Sequence, residues 1–193
     1  MSVESEGPAD TATRVLAGDD GTNYDNVAVA LHWATAGLVL VQFVLSQTWG
    51  WFGRPAHHTM VVAHMSFGII LALVIVARTA WRLIPGHQVP AIVSGRVGIA
   101  SKAVHYILYA LLASEAMLGF TLRWSGGEAM SFFGVAIPSP FAAWSKAANG
   151  QVGNLHEKIG WAIVIVALGH AAAALYHHYF LRDRVLVRML PGH

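Results

Sequence analysis

The chain of 193 residues contains no cysteine. That excludes disulfides, cysteine-ligated iron–sulfur clusters and a C-x-x-C-H site for covalent haem. Charge is scarce too. Lys, Arg, Asp and Glu make up 11% of the residues, against 55% hydrophobic ones. So much apolar surface with so few charges does not suit a water-soluble domain, and points to an integral membrane protein. No basic cluster is interleaved with stacking aromatics, which argues against nucleic acid as a partner. There is no internal repeat and no low-complexity tract. A basic start followed by an early apolar run is also lacking, so the first hydrophobic segment is expected to direct its own insertion.

Four apolar segments are present, at roughly 27–49, 59–81, 102–122 and 155–180. Each is long enough to cross a hydrocarbon core, which takes about 20 helical residues. The expected fold is an all-α integral membrane four-helix bundle over residues 27–193. Residues 1–26 read as an acidic, flexible extension holding six of the ten acids and only one base, Arg14. Bases set the direction of insertion. Arg14, Arg78, Arg82, Arg96, Lys102, Arg182, Arg184 and Arg188 fall on one side, and Arg54, Arg123, Lys146 and Lys158 on the other. Eight against four puts the N- and C-termini in the cytoplasm. Trp49, Trp51, Trp81, Trp124 and Trp144 lie near the span ends, as an interfacial belt would.

The histidines carry the chemistry. An imidazole is costly to bury in hydrocarbon without a partner. His32 starts the first span, so it lies near the inner surface. His64 starts the second, near the outer surface. His156 and His170 share the fourth span, fourteen residues apart. That is close to four turns, so both project from nearly one face, about 21 Å apart in depth. Two pairs result: His64 with His156 outside, and His32 with His170 inside. The bland alternative is hydrogen bonding between helices with no metal. Four histidines at matched depths favour iron held between imidazoles, and b-type haem suits a bundle core. One haem cannot span both levels, so the reading is two haems, with these four histidines as axial ligands. Zinc or copper fits less well, since each level offers only two good ligands. The residues four positions on are small (Ala36, Gly68, Gly160 and Ala174), which leaves room for a flat macrocycle.

Other residues are weaker candidates. Arg78 is fourteen residues after His64, at the depth of the inner level, where a haem propionate is its natural partner and a plain basic flank the alternative. Glu115 is an acid inside a span, a functional candidate by default, with pairing to a Ser or Trp as the bland reading. His105 reads as an interfacial or propionate-contacting residue. His57 and His58 read as solvated, though His57 shares a face with His64; His177 reads as interfacial, with contact to a haem edge or a quinone as the alternative; His87 and His193 read as loop and tail.

The stretches YDNVAVALHW, HMSFGIILALVIVARTAWRL, HYILYALLASEAMLGF, FFGVAIPSP and LHEKIGWAIVIVALGHAAAALYHHYFLRDRVLVRMLPG together resemble the bacterial cytochrome b561 family. The resemblance covers about residues 24–192. It implies four-helix di-haem membrane proteins of the bacterial inner membrane, with haem ligands falling on His32, His64, His156 and His170. Members often carry proline where this chain has Ala116. The family resembles quinone-linked electron carriers, and one branch looks like a superoxide:ubiquinone oxidoreductase. The expected function is therefore an oxidoreductase moving electrons between a periplasmic donor, superoxide being the sharpest candidate, and ubiquinone or another quinone. Arg54, Arg123, Lys146 and Lys158 could steer a small anion to the outer level. The aromatic third loop, with Trp124, Phe132, Phe133, Phe141 and Trp144, is the expected quinone side. The alternative is a haem-bearing anchor and electron relay in a larger respiratory complex, docked through the acidic extension. A non-redox scaffold or transporter would hold no haem.

Overall fold

The computed structural model describes residues 24–85 and 95–190. Most of the acidic extension, with any docking role it has, lies outside these residues, as do His87 and His193. Four helices dominate: α1 (Asn26–Thr48), α2 (Arg54–Leu83), α3 (Gly95–Ser125) and α4 (Lys146–Tyr176). All four are long and apolar enough to cross a membrane. The expected all-α membrane bundle is what the chain forms.

The helix starts are set locally. Asp25 caps α1, its carboxylate accepting the Ala28 N–H at 2.8 Å. Gly53 precedes α2 in extended conformation and Pro55 sits in its first turn, where a fixed φ and a missing N–H cost nothing. The helix therefore begins at Arg54, ahead of the apolar run that starts near residue 59. Ser145 caps α4 by accepting the Ala148 N–H. The polar stretch KAANGQVGN, expected as loop, is instead the first turns of this helix. Asn149 secures it, its Nδ2 donating to the Leu122 carbonyl and the Ser125 hydroxyl of α3, both at 2.8 Å.

Packing runs α1 on α2, α2 on α3 and α3 on α4, and α4 meets α1 through Phe43 and Trp161 and α2 through His64 and His156. The buried apolar centre is Ile75, Leu112 and Ile163, with Val39, Leu71 and Ile159 against it. Leu40, Leu73, Val76, Ile165 and Leu168 face outward. In water that arrangement would waste the hydrophobic effect; in lipid it is the expected surface, because tails are as apolar as leucine.

The α3–α4 connection holds one element the all-α expectation did not include. β1 (Met130–Phe132) and β2 (Val135–Ile137) form an antiparallel hairpin, Met130 opposite Ile137 and Phe132 opposite Val135. Its tip, Phe133 and Gly134, has φ of 47° and 90°, the left-handed pair a tight hairpin turn needs. The fully buried Ser66 of α2 holds the tip down. Its hydroxyl accepts the Phe133 N–H at 2.8 Å and donates to the Val62 carbonyl at 2.7 Å. At the loop's base the Trp144 N–H donates to the Ser125 carbonyl.

At the other end, α4 widens into a π-helical turn, His177–Leu181, closed by Arg182 in left-handed conformation. His177 Nδ1 meets Asp183 Oδ2 at 2.5 Å. Further along, Trp33 Nε1 donates to the Met189 carbonyl, tying the C-terminal segment to α1.

Candidate functional site

Helix α4 organises the site. His156 and His170 project from it fourteen residues apart, about 21 Å along the axis. At the level expected outside, termed the outer level, the His64 ring, from α2, stands 6.3 Å from that of His156, centroid to centroid, with the planes at 90°. At the inner level the His32 ring, from α1, stands 6.4 Å from that of His170, at 69°. The structure thus brings together the two pairs expected from depth. The Ile75–Leu112–Ile163 layer lies between them.

The outer level is rich in polar atoms with nothing to bond. Gln42 Nε2 donates to the His64 carbonyl at 3.0 Å. Gln42 Oε1, His64 Nδ1, His156 Nδ1 and Glu115 Oε2 are all buried without a hydrogen-bond partner. Glu115 Oε1 lies 3.2 Å from His156 Nδ1, within ion-pair range but off the line of a hydrogen bond. Glu115 therefore faces a histidine, not the Ser or Trp of the bland reading. Trp49 flanks His64 edge-on at 5.3 Å and His57 at 6.1 Å.

At the inner level Arg78 Nη2 is 2.9 Å from His32 Nδ1, and its guanidinium lies 5.4 Å over the Tyr109 ring. A guanidinium only donates, so His32 Nδ1 accepts. Arg78 points into the bundle rather than flanking it. His105 is also closer in than an interfacial residue would be, its ring 5.0 Å from that of His170.

Gly68 and Gly160, expected as room for a macrocycle, also lie close to polar side chains of neighbouring helices. A Cβ at Gly68 would stand 2.9 Å from Gln42 Nε2, and one at Gly160 would stand 3.1 Å from Glu115 Oε1. Both admit a polar side chain from the neighbouring helix. Of the four bases expected outside, Arg123 is paired with Glu128, while Arg54, Lys146 and Lys158 are exposed. His57 and His58 are exposed, and His177 belongs to the C-terminal turn.

The donors suit iron porphyrin. Among the described residues there is no cluster of three or more His, Cys, Asp or Glu that could hold a bare metal ion. The two facing imidazoles at each level suit a metal already bound in a macrocycle plane. Metal–imidazole bonds of about 2.0–2.1 Å, with a ring radius of about 1.1–1.2 Å on each side, put centroids about 6.2–6.6 Å apart. The observed separations of 6.3 and 6.4 Å fall in that range.

A membrane four-helix bundle with paired histidines on facing helices defines the class of transmembrane b-type cytochromes. The chain belongs to the prokaryotic cytochrome b561 family, whose profile matches residues 23–192. It is 31% identical over 178 residues to cytochrome b561 homolog 2 of Escherichia coli, covering 86% of this chain and 90% of the relative. Cytochrome b561 homolog 1 of the same organism is 30% identical, covering 87% and 97%. A Yersinia pestis protein named a probable superoxide oxidase is 26% identical over 172 residues, covering 87% and 96%. The protein is thus a multi-pass bacterial inner-membrane cytochrome of electron transfer, with b-type haem as its cofactor.

Sequence reasoning did not pair Glu115 with His156 and passed over Gln42. The signal was there: both are polar residues inside otherwise apolar spans.

Proposed function

We propose that the chain holds two b-type haems and carries electrons from a donor on the outer side to membrane quinone. His64 and His156 hold the outer haem; His32 and His170 hold the inner. The observation that carries this reading is the pair of ring separations, each matching two imidazoles across one iron. When bound, each haem supplies reversible one-electron chemistry at its iron. The base distribution supports both termini in the cytoplasm, with the His64–His156 level toward the periplasm.

The chain's own residues supply the rest. Exposed Arg54, Lys146 and Lys158 raise the local concentration of a small anion near the outer level. Superoxide is the donor favoured by the superoxide oxidase relative. Two superoxide anions lose one electron each and leave as dioxygen, and one quinone gains two electrons and two protons. Phe120 and Trp124 at the end of α3 and Phe141 and Trp144 on the loop that follows form one continuous aromatic cluster. Such a surface suits a flat quinone ring with an isoprenoid tail. Arg78, at the inner level, would neutralise a haem propionate once ligation of His32 displaces it from Nδ1.

Superoxide-dependent quinone reduction by the purified protein tests the reading. Trp124→Ala or Trp144→Ala should slow it, while His177→Ala leaves the rate nearly unchanged. The reverse pattern would move the acceptor to the cytoplasmic half. No superoxide-dependent reduction by the haem-loaded protein would remove superoxide as donor.

A further inference from the structure

Glu115 is an acid in the middle of a membrane-spanning helix, where a carboxyl group needs a specific reason to be. Its surroundings lie where α3 meets α4. Gly160 stands one turn after His156, and a Cβ there would come 3.1 Å from Glu115 Oε1. Gly119 stands one turn after Glu115, and a Cβ there would come 3.5 Å from His156 Cε1. Gly160 thus leaves room for the Glu115 carboxylate, and Gly119 stands in ordinary contact distance of the His156 ring. Neither side chain is more than about a quarter exposed, each at 22%.

Both partners carry an unused polar atom. His156 Nδ1 and Glu115 Oε2 are buried without hydrogen bonds, and Nδ1 is 3.2 Å from Oε1. A neutral imidazole that offers Nε2 to a metal keeps its proton on Nδ1. That N–H then needs an acceptor, and ligating histidines find one in a carboxylate or a carbonyl that fixes the ring and raises its basicity. At His156 the acceptor within reach is Glu115. The other ligand positions differ: His64 Nδ1 has no partner, and His32 Nδ1 faces the Arg78 cation.

We propose that Glu115 is a positioning residue for His156, accepting its Nδ1–H, orienting the ring and lowering the reduction potential of the outer haem alone. This rests on the reading that His64 and His156 hold that haem. The physical basis is charge. An anion hydrogen-bonded to an axial ligand makes it a stronger donor and favours the electron-poor iron.

The test uses the full chain, loaded with haem, as wild type, Glu115→Gln, Glu115→Leu and Glu115→Asp. Haem per chain, redox titration and low-temperature EPR of the ferric protein are measured. The outer wave is identified as the one missing in His64→Ala. Glu115→Gln keeps the size and an acceptor oxygen but removes the charge, so it should retain both haems and shift the outer wave upward. Glu115→Leu should shift it further and alter the outer haem's EPR signal. Glu115→Asp should return part of the shift. The inner wave should stay in place throughout. Two haems with both waves unmoved in Glu115→Gln and Glu115→Leu would overturn the proposal, and so would equal movement of both waves. A wild-type protein lacking the outer haem would instead overturn the functional reading beneath it.

Discussion

Arg78 Nη2 donates to His32 Nδ1 across 2.9 Å, joining α2 to α1 at the inner histidine level. That contact and iron ligation through His32 Nε2 exclude each other. With a metal on Nε2 the proton sits on Nδ1, which then cannot accept. A haem held by His32 would turn the guanidinium to another partner, and a propionate is the natural anion. Arg78→Gln should therefore lower the potential of the inner haem, because a nearby cation favours the electron-rich state. Redox titration checks this. Two unchanged potentials would leave Arg78 as an ordinary basic residue.

Ser66 is the second lever. Its hydroxyl is the acceptor for the Phe133 N–H at the strained hairpin tip. Ser66→Ala should cost about 1 kcal/mol locally, the net worth of one hydrogen bond. The loss should appear in the hairpin rather than in the bundle, whose helices pack without it. Amide exchange over residues 130–137 should accelerate about fivefold, the equivalent of that energy. Unchanged exchange there would mean that Phe67, whose ring packs 6.0 Å from that of Phe133, holds the hairpin by itself.

The C-terminal turn should respond to acid. Burial pushes the Asp183 carboxyl up, but hydrogen bonds from His177 and the Val185 N–H and the nearby imidazoles outweigh it and hold it below its ordinary value. A carboxyl depressed on folding stabilises the turn at neutral pH. That contribution fades as pH falls below the unfolded value of about 3.9 and on through the lowered folded one. Asp183→Asn should loosen residues 177–188 at neutral pH and flatten their acid dependence, measured by limited proteolysis from pH 7 to pH 3. Identical profiles for the two proteins would assign the turn's stability to the Trp33–Met189 contact instead.

The spans and histidine levels were legible because each depends on one helix at a time. Apolar run length marks α1 to α4, and the fourteen-residue spacing on α4 sets two depths before any partner is known. What was not legible depends on two segments meeting. The helical start of α4 needs Asn149 to reach the end of α3. The hairpin needs Ser66, sixty-seven residues before Phe133. Gly160 looks like room for a macrocycle until Glu115 arrives from the neighbouring helix. Arg123 counts as a free base until Glu128 folds back on it.

The central claim is that α4 carries one ligand for each of two haems. The most direct measurement is haem per chain by pyridine haemochrome, in wild type and in single histidine variants. The wild-type ratio should be about two. His64→Ala and His156→Ala should each lose one haem with the same spectral and redox signature. His32→Ala and His170→Ala should each lose the other. A wild-type ratio near one, or loss of the same haem in His156→Ala and His170→Ala, would contradict the account.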